Sequence, residues 1–300
     1  MSTNKIRQAI DEFLVAGKQA GWAPTTQVKY KKFLTYFVNW LESQRIETLE
    51  QLDRHSLRQW GAGIRDRWRP ETVTTAVRVV RRWLRWCHAE GWLPPLADAI
   101  QSPRLPRQSR RTVTPEEVQK LLRVCDEDPN EVLGRRNAAI ASLLFDSMLR
   151  ASELVSLDVN DLDLDECRVI VLGKGGIERP AFFSEATKTR IQRWLEVHPD
   201  HPALFTVGQG DDVRRMPYGT LYQLIVLLGE RAGIPRVSPH AFRRGGACAA
   251  FKLGASTRVV MVLGGWRTLD MVVRYTQALK PDELFPQYAP MSAVKPDENE

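Results

Sequence analysis

No stretch of this 300-residue chain approaches the roughly 20 consecutive apolar residues that a membrane-spanning helix needs, which excludes a helical membrane protein. Cysteine is scarce. The four residues at positions 87, 125, 167 and 248 form no Cys-x-x-Cys pair, so neither a disulfide framework nor a zinc ribbon is expected, and a reducing compartment suits them. Of the five histidines, His198 and His201 lie close together but have no cysteine nearby to complete a metal site, and they read as loop. Gly173-Lys174-Gly175-Gly176 is not a Walker A loop, because no Gly-Lys-Ser/Thr follows a first glycine at the required spacing. The acidic run Asp158, Asp161, Asp163, Asp165, Glu166 fails the calcium-loop pattern. Glu166 stands where the turn glycine belongs and Leu172 where the last glutamate belongs, so an exposed turn before a strand is expected. The opening MSTNKIRQAIDEF turns acidic and amphipathic at once, unlike a secretory signal. Internal repeats and low-complexity segments are absent.

What is present is material for packed cores. Hydrophobic residues make up 43% of the chain, with 9 Trp and 10 Phe, and the length suits two ordinary domains. Charge is divided unevenly. Residues 1–111 hold 20 Lys+Arg against 10 Asp+Glu, whereas the remainder holds 23 against 26. A basic N-terminal third joined to a nearly neutral partner is the footprint of a polyanion-binding domain, and equally of a basic soluble surface.

Periodicity predicts helices throughout the first third. Ile6, Ile10, Phe13 and Leu14 form a stripe ahead of Gly21-Trp22-Ala23-Pro24. Thr25 or Thr26 can then cap a helix carrying Val28, Phe33, Phe37, Trp40 and Leu41, and a third helix is expected over Leu49 to Ile64. After Pro70, Val73, Ala76, Val77, Val80, Trp83, Leu84 and Cys87 fall on one side at helical spacing, with Arg78, Arg81, Arg82 and Arg85 opposite. Like charges one turn apart repel, and no acid is interleaved, so this stripe reads as a phosphate-facing surface. Residues 102–113, SPRLPRQSRRTV, read as an extended basic linker containing Arg104, Arg107, Arg110 and Arg111.

The second domain opens at Thr114-Pro115-Glu116-Glu117, a helix start, followed by an apolar helix at about Asn137–Phe145. Runs at Arg168–Leu172 and Arg179–Phe183 flank the glycine-rich turn and predict a β-hairpin. Helices are expected again at about Glu185–Val197, Tyr218–Ala232, His240–Leu253 and Ser256–Leu263, with a last one ending at Tyr275. The domain boundaries expected are 1–101, a linker at 102–113, 114–289, and an acidic tail from 290 to 300.

Several residues could carry chemistry, and each has a plain structural alternative. Arg150 and Glu153 stand three apart at a helix start, the spacing of a surface ion pair. Lys174 sits at the tip of the hairpin. His240 and Arg243 share one face of a helix, although a lone histidine is more often structural. Trp266 precedes Tyr275 by nine residues.

Taken in order, Arg150, Lys174, His240, Arg243, Trp266 and Tyr275 resemble the catalytic set of the tyrosine recombinase (phage integrase) family, Xer-like members in particular, over nearly the whole chain. The resemblance implies a mainly α fold with a small β-sheet, arranged as a two-domain DNA clamp. An N-terminal SAM-like helical core-binding domain would face a C-terminal α+β catalytic domain. It implies site-specific strand exchange on double-stranded DNA through a 3′-phosphotyrosyl intermediate and a Holliday junction, with Tyr275 as nucleophile. Glu153 would be a carboxylate supporting the His240–Arg243 side of the site. The DNA contacts would come from Arg78, Arg81, Arg82, Arg85 and the linker arginines. No metal and no cofactor is implied. The partners implied are specific recombination sites, a homotetramer on DNA and, as a further candidate, an accessory protein, in the cytoplasm beside the nucleoid of a prokaryote or in a mobile element. The sequence departs from the family at two places: Arg244 follows Arg243 where a second histidine is common, and Trp266 replaces the commoner histidine. A catalytically silent DNA-binding protein and a type IB topoisomerase share this scaffold or chemistry and stand as alternatives. The compact layout leans towards the simple dimer-resolving members. The tail PDELFPQY, with Leu284, Phe285 and Tyr288, is expected to dock on a neighbouring subunit.

Overall fold

The computed structural model describes residues 5–104, 111–173, 176, 178–266, 268–276 and 282, and omits the side chains of 274–276. Lys174, Arg107, Arg110 and the tail residues Leu284, Phe285 and Tyr288 lie outside the described residues, as does the Tyr275 side chain. The chain divides into two compact units, Met1–Arg107 and Gln108–Glu300.

Among the described residues of the first unit every regular element is a helix, with one isolated antiparallel bridge between Lys5 and Thr48. Helix α1 (Ile6–Gln19) buries Ile6, Ala9, Ile10 and Phe13, and α2 (Pro24–Ser43) buries Tyr30, Leu34, Phe37, Val38 and Leu41. Here the expectation is corrected. Pro24 occupies the first turn, where its fixed φ suits the helix, and Ala23 precedes it, so neither threonine caps. Phe37 and Leu41 of the expected stripe are buried, but Tyr30, Leu34 and Val38 complete it and Val28 is 69% exposed. The helix expected over Leu49 to Ile64 is also broken. A 3₁₀ turn at Leu49–Gln51 ends before Asp53, whose carboxylate accepts from the Ser56 N–H at 2.8 Å and starts α3 (Arg54–Arg67). Helix α4 (Pro70–Ala89) lays the predicted apolar face inward. Phe37 meets Trp60 and Trp83 edge-on at the centre of this core.

The second unit is built around α6 (Glu131–Asp146), buried almost continuously from Asn137 to Leu144. A helix apolar on all sides belongs in the middle of a domain. It is covered by α5 (Pro115–Asp126), α8 (Glu185–Leu195) and α10 (Pro239–Lys252), with α9 (Tyr218–Arg231) packed on α5 and on the short α7 (Ala151–Ser156). At Gly246 of α10 an added Cβ would lie 2.1 Å from the Phe145 carbonyl oxygen, so only glycine permits this approach of α10 to α6.

The hairpin is present as β2 (Arg168–Leu172) and β3 (Glu178–Phe182), with Val169 opposite Ala181 and Val171 opposite Arg179. A third antiparallel strand, β1 (Leu162–Asp163), joins β2 from within the acidic run, where only a turn was expected. Another pair, β4 (Thr206–Val207) and β5 (Arg214–Arg215), was unforeseen; two residues are too few for an alternating pattern to register. Helices α11 (Thr257–Leu263) and α12 (Leu269–Thr276) follow α10 and share with it a small separate core of Met148, Ala247, Phe251, Val260, Trp266 and Val272. The protein is thus mainly helical with small sheets. Among the described residues no helix is long and apolar enough to cross a membrane.

Candidate active site

Arg150 immediately precedes α7, and Glu153, at the third position of that helix, reaches back to accept its backbone N–H at 2.8 Å. The same carboxylate accepts from Arg150 Nη1 at 2.5 Å. The spacing allowed a surface ion pair, yet Glu153 is only 5% exposed, so its charge is compensated inside the protein.

Two further guanidiniums supply that compensation. Arg243, one turn into α10, is 2% exposed and lies 4.0 Å from Glu153 Oε2. Its Nη1 donates to the Met148 carbonyl and its Nη2 to the Gly264 carbonyl at 2.7 Å. Met148 occupies the left-handed region at φ 51°, an expensive conformation for a side chain of this kind, at the turn between α6 and Arg150. The Trp266 ring lies 4.4 Å from the Arg243 guanidinium carbon, a cation–π contact within the α10–α12 core. Arg179 on β3 donates to Glu153 Oε2 and to the Leu263 carbonyl, both at 3.1 Å. Burial pulls its guanidinium below the ordinary arginine value, while Glu153 opposes the shift. Arg150 Nη2 closes the arrangement on the Gly265 carbonyl at 3.2 Å.

Three arginines therefore surround one carboxylate, leaving an excess of positive charge about a half-buried corner. Arg150, Glu153, Arg243 and Trp266, separated by up to 116 residues in the chain, are brought together. His240 is exposed in the otherwise buried first turn of α10, three residues before the buried Arg243. Tyr275 lies on α12. Arg179 was missed: an isolated arginine in a short strand carries no spacing signature, and only the pairing of β3 with β2 turns it towards α7. Arg244, at the departure from the family pattern, donates Nε and Nη2 to the Arg111 carbonyl at 2.9 and 2.5 Å. Among the described residues no group of three or more His, Cys, Asp or Glu is placed to hold a metal ion.

The arginines read as DNA-facing are in differing situations. Arg78, Arg85 and Arg104 are exposed. Arg81 pairs with Asp98 at 2.8 Å, so an acid distant in sequence does offset the stripe, contrary to expectation. Arg82 lies over the Trp22 ring at 4.6 Å and donates to the Tyr30 hydroxyl at 3.4 Å. Arg111 is tied to Glu117 at 2.5 Å and to the Pro235 and Thr112 carbonyls.

The phage integrase family model matches residues 111–281. The chain belongs to the phage integrase family. Similar curated proteins include tyrosine recombinase XerC of Vibrio vulnificus strain YJ016, 27% identical over 280 residues, covering 90% of this chain and 87% of that protein. Tyrosine recombinase XerD of the same strain is 28% identical over 278 residues, covering 89% and 90%. Family membership and these relatives make the chain an enzyme of the tyrosine recombinase class. The fold is shared with the XerH site-specific recombinase bound to its palindromic difH substrate (TM-score 0.74, 15% identity, 96% of this chain and 85% of that one). It is shared also with a lambda integrase dimer bound to a COC′ core site (TM-score 0.72, 14% identity, 91% and 77%).

Proposed function

We propose that this protein cleaves and rejoins double-stranded DNA at specific recombination sites through a covalent 3′-phosphotyrosyl intermediate. The observation that carries the reading is the convergence of Arg150 and Arg243 beside one buried carboxylate, Glu153, at the corner leading into α12.

The chemistry follows from the residue types. A phosphodiester repels nucleophiles and its alkoxide is a poor leaving group. Arg150 and Arg243 grip the non-bridging oxygens and stabilise the charge that builds on five-coordinate phosphorus. The Tyr275 oxygen attacks phosphorus, and its proton passes to His240. The bond from phosphorus to the 5′-oxygen breaks, and that oxygen takes a proton from Lys174. The phosphotyrosyl ester retains the energy of the cleaved linkage, so a 5′-hydroxyl from a second strand reverses the step without nucleotide hydrolysis. Trp266 supports Arg243 from below, and Glu153 holds both arginines. The arginines carry the charge that a divalent cation supplies in other phosphoryl-transfer sites, so the scheme calls for no metal or cofactor.

Exchange between two duplexes needs four such sites, so the working form is a homotetramer holding a Holliday junction, with an accessory protein where the reaction must be timed. The proposed organisation is a core-binding domain over residues 1–101, a basic linker at 102–113 and a catalytic domain over 114–289. Arg78, Arg81, Arg82, Arg85 and the linker residues Arg104, Arg107, Arg110 and Arg111 would serve DNA binding. The setting is the bacterial cytoplasm, beside the nucleoid.

The test begins by selecting a bound sequence from a random duplex library with the purified protein. A nicked suicide duplex carrying that sequence is then incubated with wild type and with Tyr275→Phe. A detergent-resistant protein–DNA adduct that disappears in Tyr275→Phe is the expected result. Absence of any adduct on a tightly bound site would instead identify a silent DNA-binding protein. Relaxation of plasmid lacking the site would identify a topoisomerase.

A further inference from the structure

Three consecutive carbonyls at the end of α11 each accept from a different arginine. The Leu263 oxygen takes Arg179 Nη1 at 3.1 Å, the Gly264 oxygen takes Arg243 Nη2 at 2.7 Å, and the Gly265 oxygen takes Arg150 Nη2 at 3.2 Å. Carbonyls at a helix C-terminus lack intrahelical partners, so such a ledge is ready to receive donors. Arg150 and Arg243 are already assigned to the scissile phosphate, whereas nothing assigns Arg179.

Arg179 differs from the other two in how it is held. Its side chain is 16% exposed, and it bridges two elements, α7 through Glu153 and α11 through Leu263. It also lies flat against Gly265. An added Cβ there would sit 2.2 Å from Arg179 Nε, and Gly265 has φ 63°, which favours glycine in any case. The corner that leads into α12 is thereby fitted to the Arg179 side chain, which any Cβ at 265 would have to displace.

The second consequence concerns Glu153. Its Oε2 accepts two hydrogen bonds, from the Arg150 N–H at 2.8 Å and from Arg179 at 3.1 Å, while Arg243 Nη1 stands off at 4.0 Å from the same oxygen. Remove Arg179 and that oxygen loses a charged donor. Arg243 Nη1 is the neighbouring cationic group able to move in, and doing so draws it off the Met148 carbonyl and turns the guanidinium out of line for a phosphate.

We propose that Arg179 is a positioning residue. By holding Glu153 and the Leu263–Gly265 backbone, it keeps Arg150 and Arg243 aligned as a pair and stops Glu153 from capturing Arg243. The inference rests on the phosphoryl-transfer reading above.

The test is single-turnover cleavage on the selected suicide duplex, with wild type, Arg179→Met and Arg179→Lys. One duplex carries an ordinary scissile phosphate and the other a methylphosphonate, in which a methyl group replaces one charged oxygen. Wild-type adduct on the ordinary duplex tests the reading itself; without it the reading fails and this inference falls with it. Given that adduct, Arg179→Met should cleave about 10²-fold more slowly, the scale of a misalignment of about 1 Å. Its dissociation constant for the duplex should stay within about threefold of wild type, since the loss is confined to the transition state. Arg179→Lys, which restores charge but not two divergent donors, should recover part of the rate. On the methylphosphonate, which depends less on paired guanidiniums, the ratio of wild type to variant should shrink at least about tenfold. Equal rates on the ordinary duplex, or the same ratio on both duplexes, would overturn the proposal, because a merely structural loss depresses both substrates alike. Should Arg179→Met fail to fold, Arg179→Lys carries the same comparison.

Discussion

Replacing Glu153 by Gln tests whether the buried carboxylate holds the arginine cluster together. Glu153 accepts three hydrogen bonds within 3.1 Å, two from guanidiniums and one from a backbone N–H. The amide that replaces it has one accepting oxygen, and its NH₂ group points donors at donors. Hydrogen bonds to a charged partner contribute about 1.5–3 kcal/mol each, and removing one member of a buried ion pair costs about 3–5 kcal/mol. Arg150 is 35% exposed, so water screens part of its loss and the lower end applies, about 3 kcal/mol. For a unit of this size that corresponds to a fall in melting temperature of about 6–12 °C. The assay is thermal unfolding of the intact chain, followed by circular dichroism at low ionic strength, with and without added sulfate. Sulfate should raise the variant's melting temperature more than that of wild type, because an anion can enter among cations that have lost their carboxylate. A variant melting within about 2 °C of wild type would refute the reasoning, since it would mean that the arginines find other acceptors at no cost.

The basic stripe on α4 makes a narrower claim than its sequence suggested. Substituting the exposed Arg78 and Arg85 together with Ala should flatten the dependence of log K on log salt by about 1.8, or 0.9 for each phosphate no longer neutralised; an unchanged slope would leave that face to solvent. In the second unit, the hydrogen bond from Arg231, and then the Asn130 N–H, hold Asp128 below the usual carboxylate range. A carboxyl whose folded value is depressed adds stability above its unfolded value, near 3.9, and that stability disappears as pH falls through the folded value. The difference in urea midpoint between wild type and Asp128→Asn should therefore be constant from about pH 5 to 7 and shrink below about pH 4. A difference that persists undiminished at about pH 2.5 would show that the ion pair is not its source.

The helical character of both units could be read from apolar spacing, because a stripe that must be buried declares itself every three or four residues. α4 is the clearest case. The hairpin was equally legible from its glycine-rich turn. Phase was harder. In α2 the buried face runs through Tyr30, Leu34, Phe37, Val38 and Leu41 rather than through Val28, and Pro24 rather than a threonine starts the helix. Long-range pairing was not legible at all. Nothing near Arg81 announces Asp98, and nothing near Arg179 announces Glu153 or Leu263. Within the candidate site, the family resemblance singled out Arg150, Glu153, Arg243 and Trp266 where each local spacing alone was weak, while the anchoring of Arg150, Arg179 and Arg243 on the Leu263–Gly265 backbone emerged only from the tertiary fold.

Arg243 is gripped at both terminal nitrogens by carbonyl oxygens and backed by an indole ring. A free arginine side chain has roughly 2 kcal/mol of rotamer entropy to lose on being immobilised. Here that ordering is already complete once the polypeptide has folded, so little of it is left to oppose the arrival of an anion. The guanidinium plane is set in advance, much as a machined jaw is set before the workpiece is loaded.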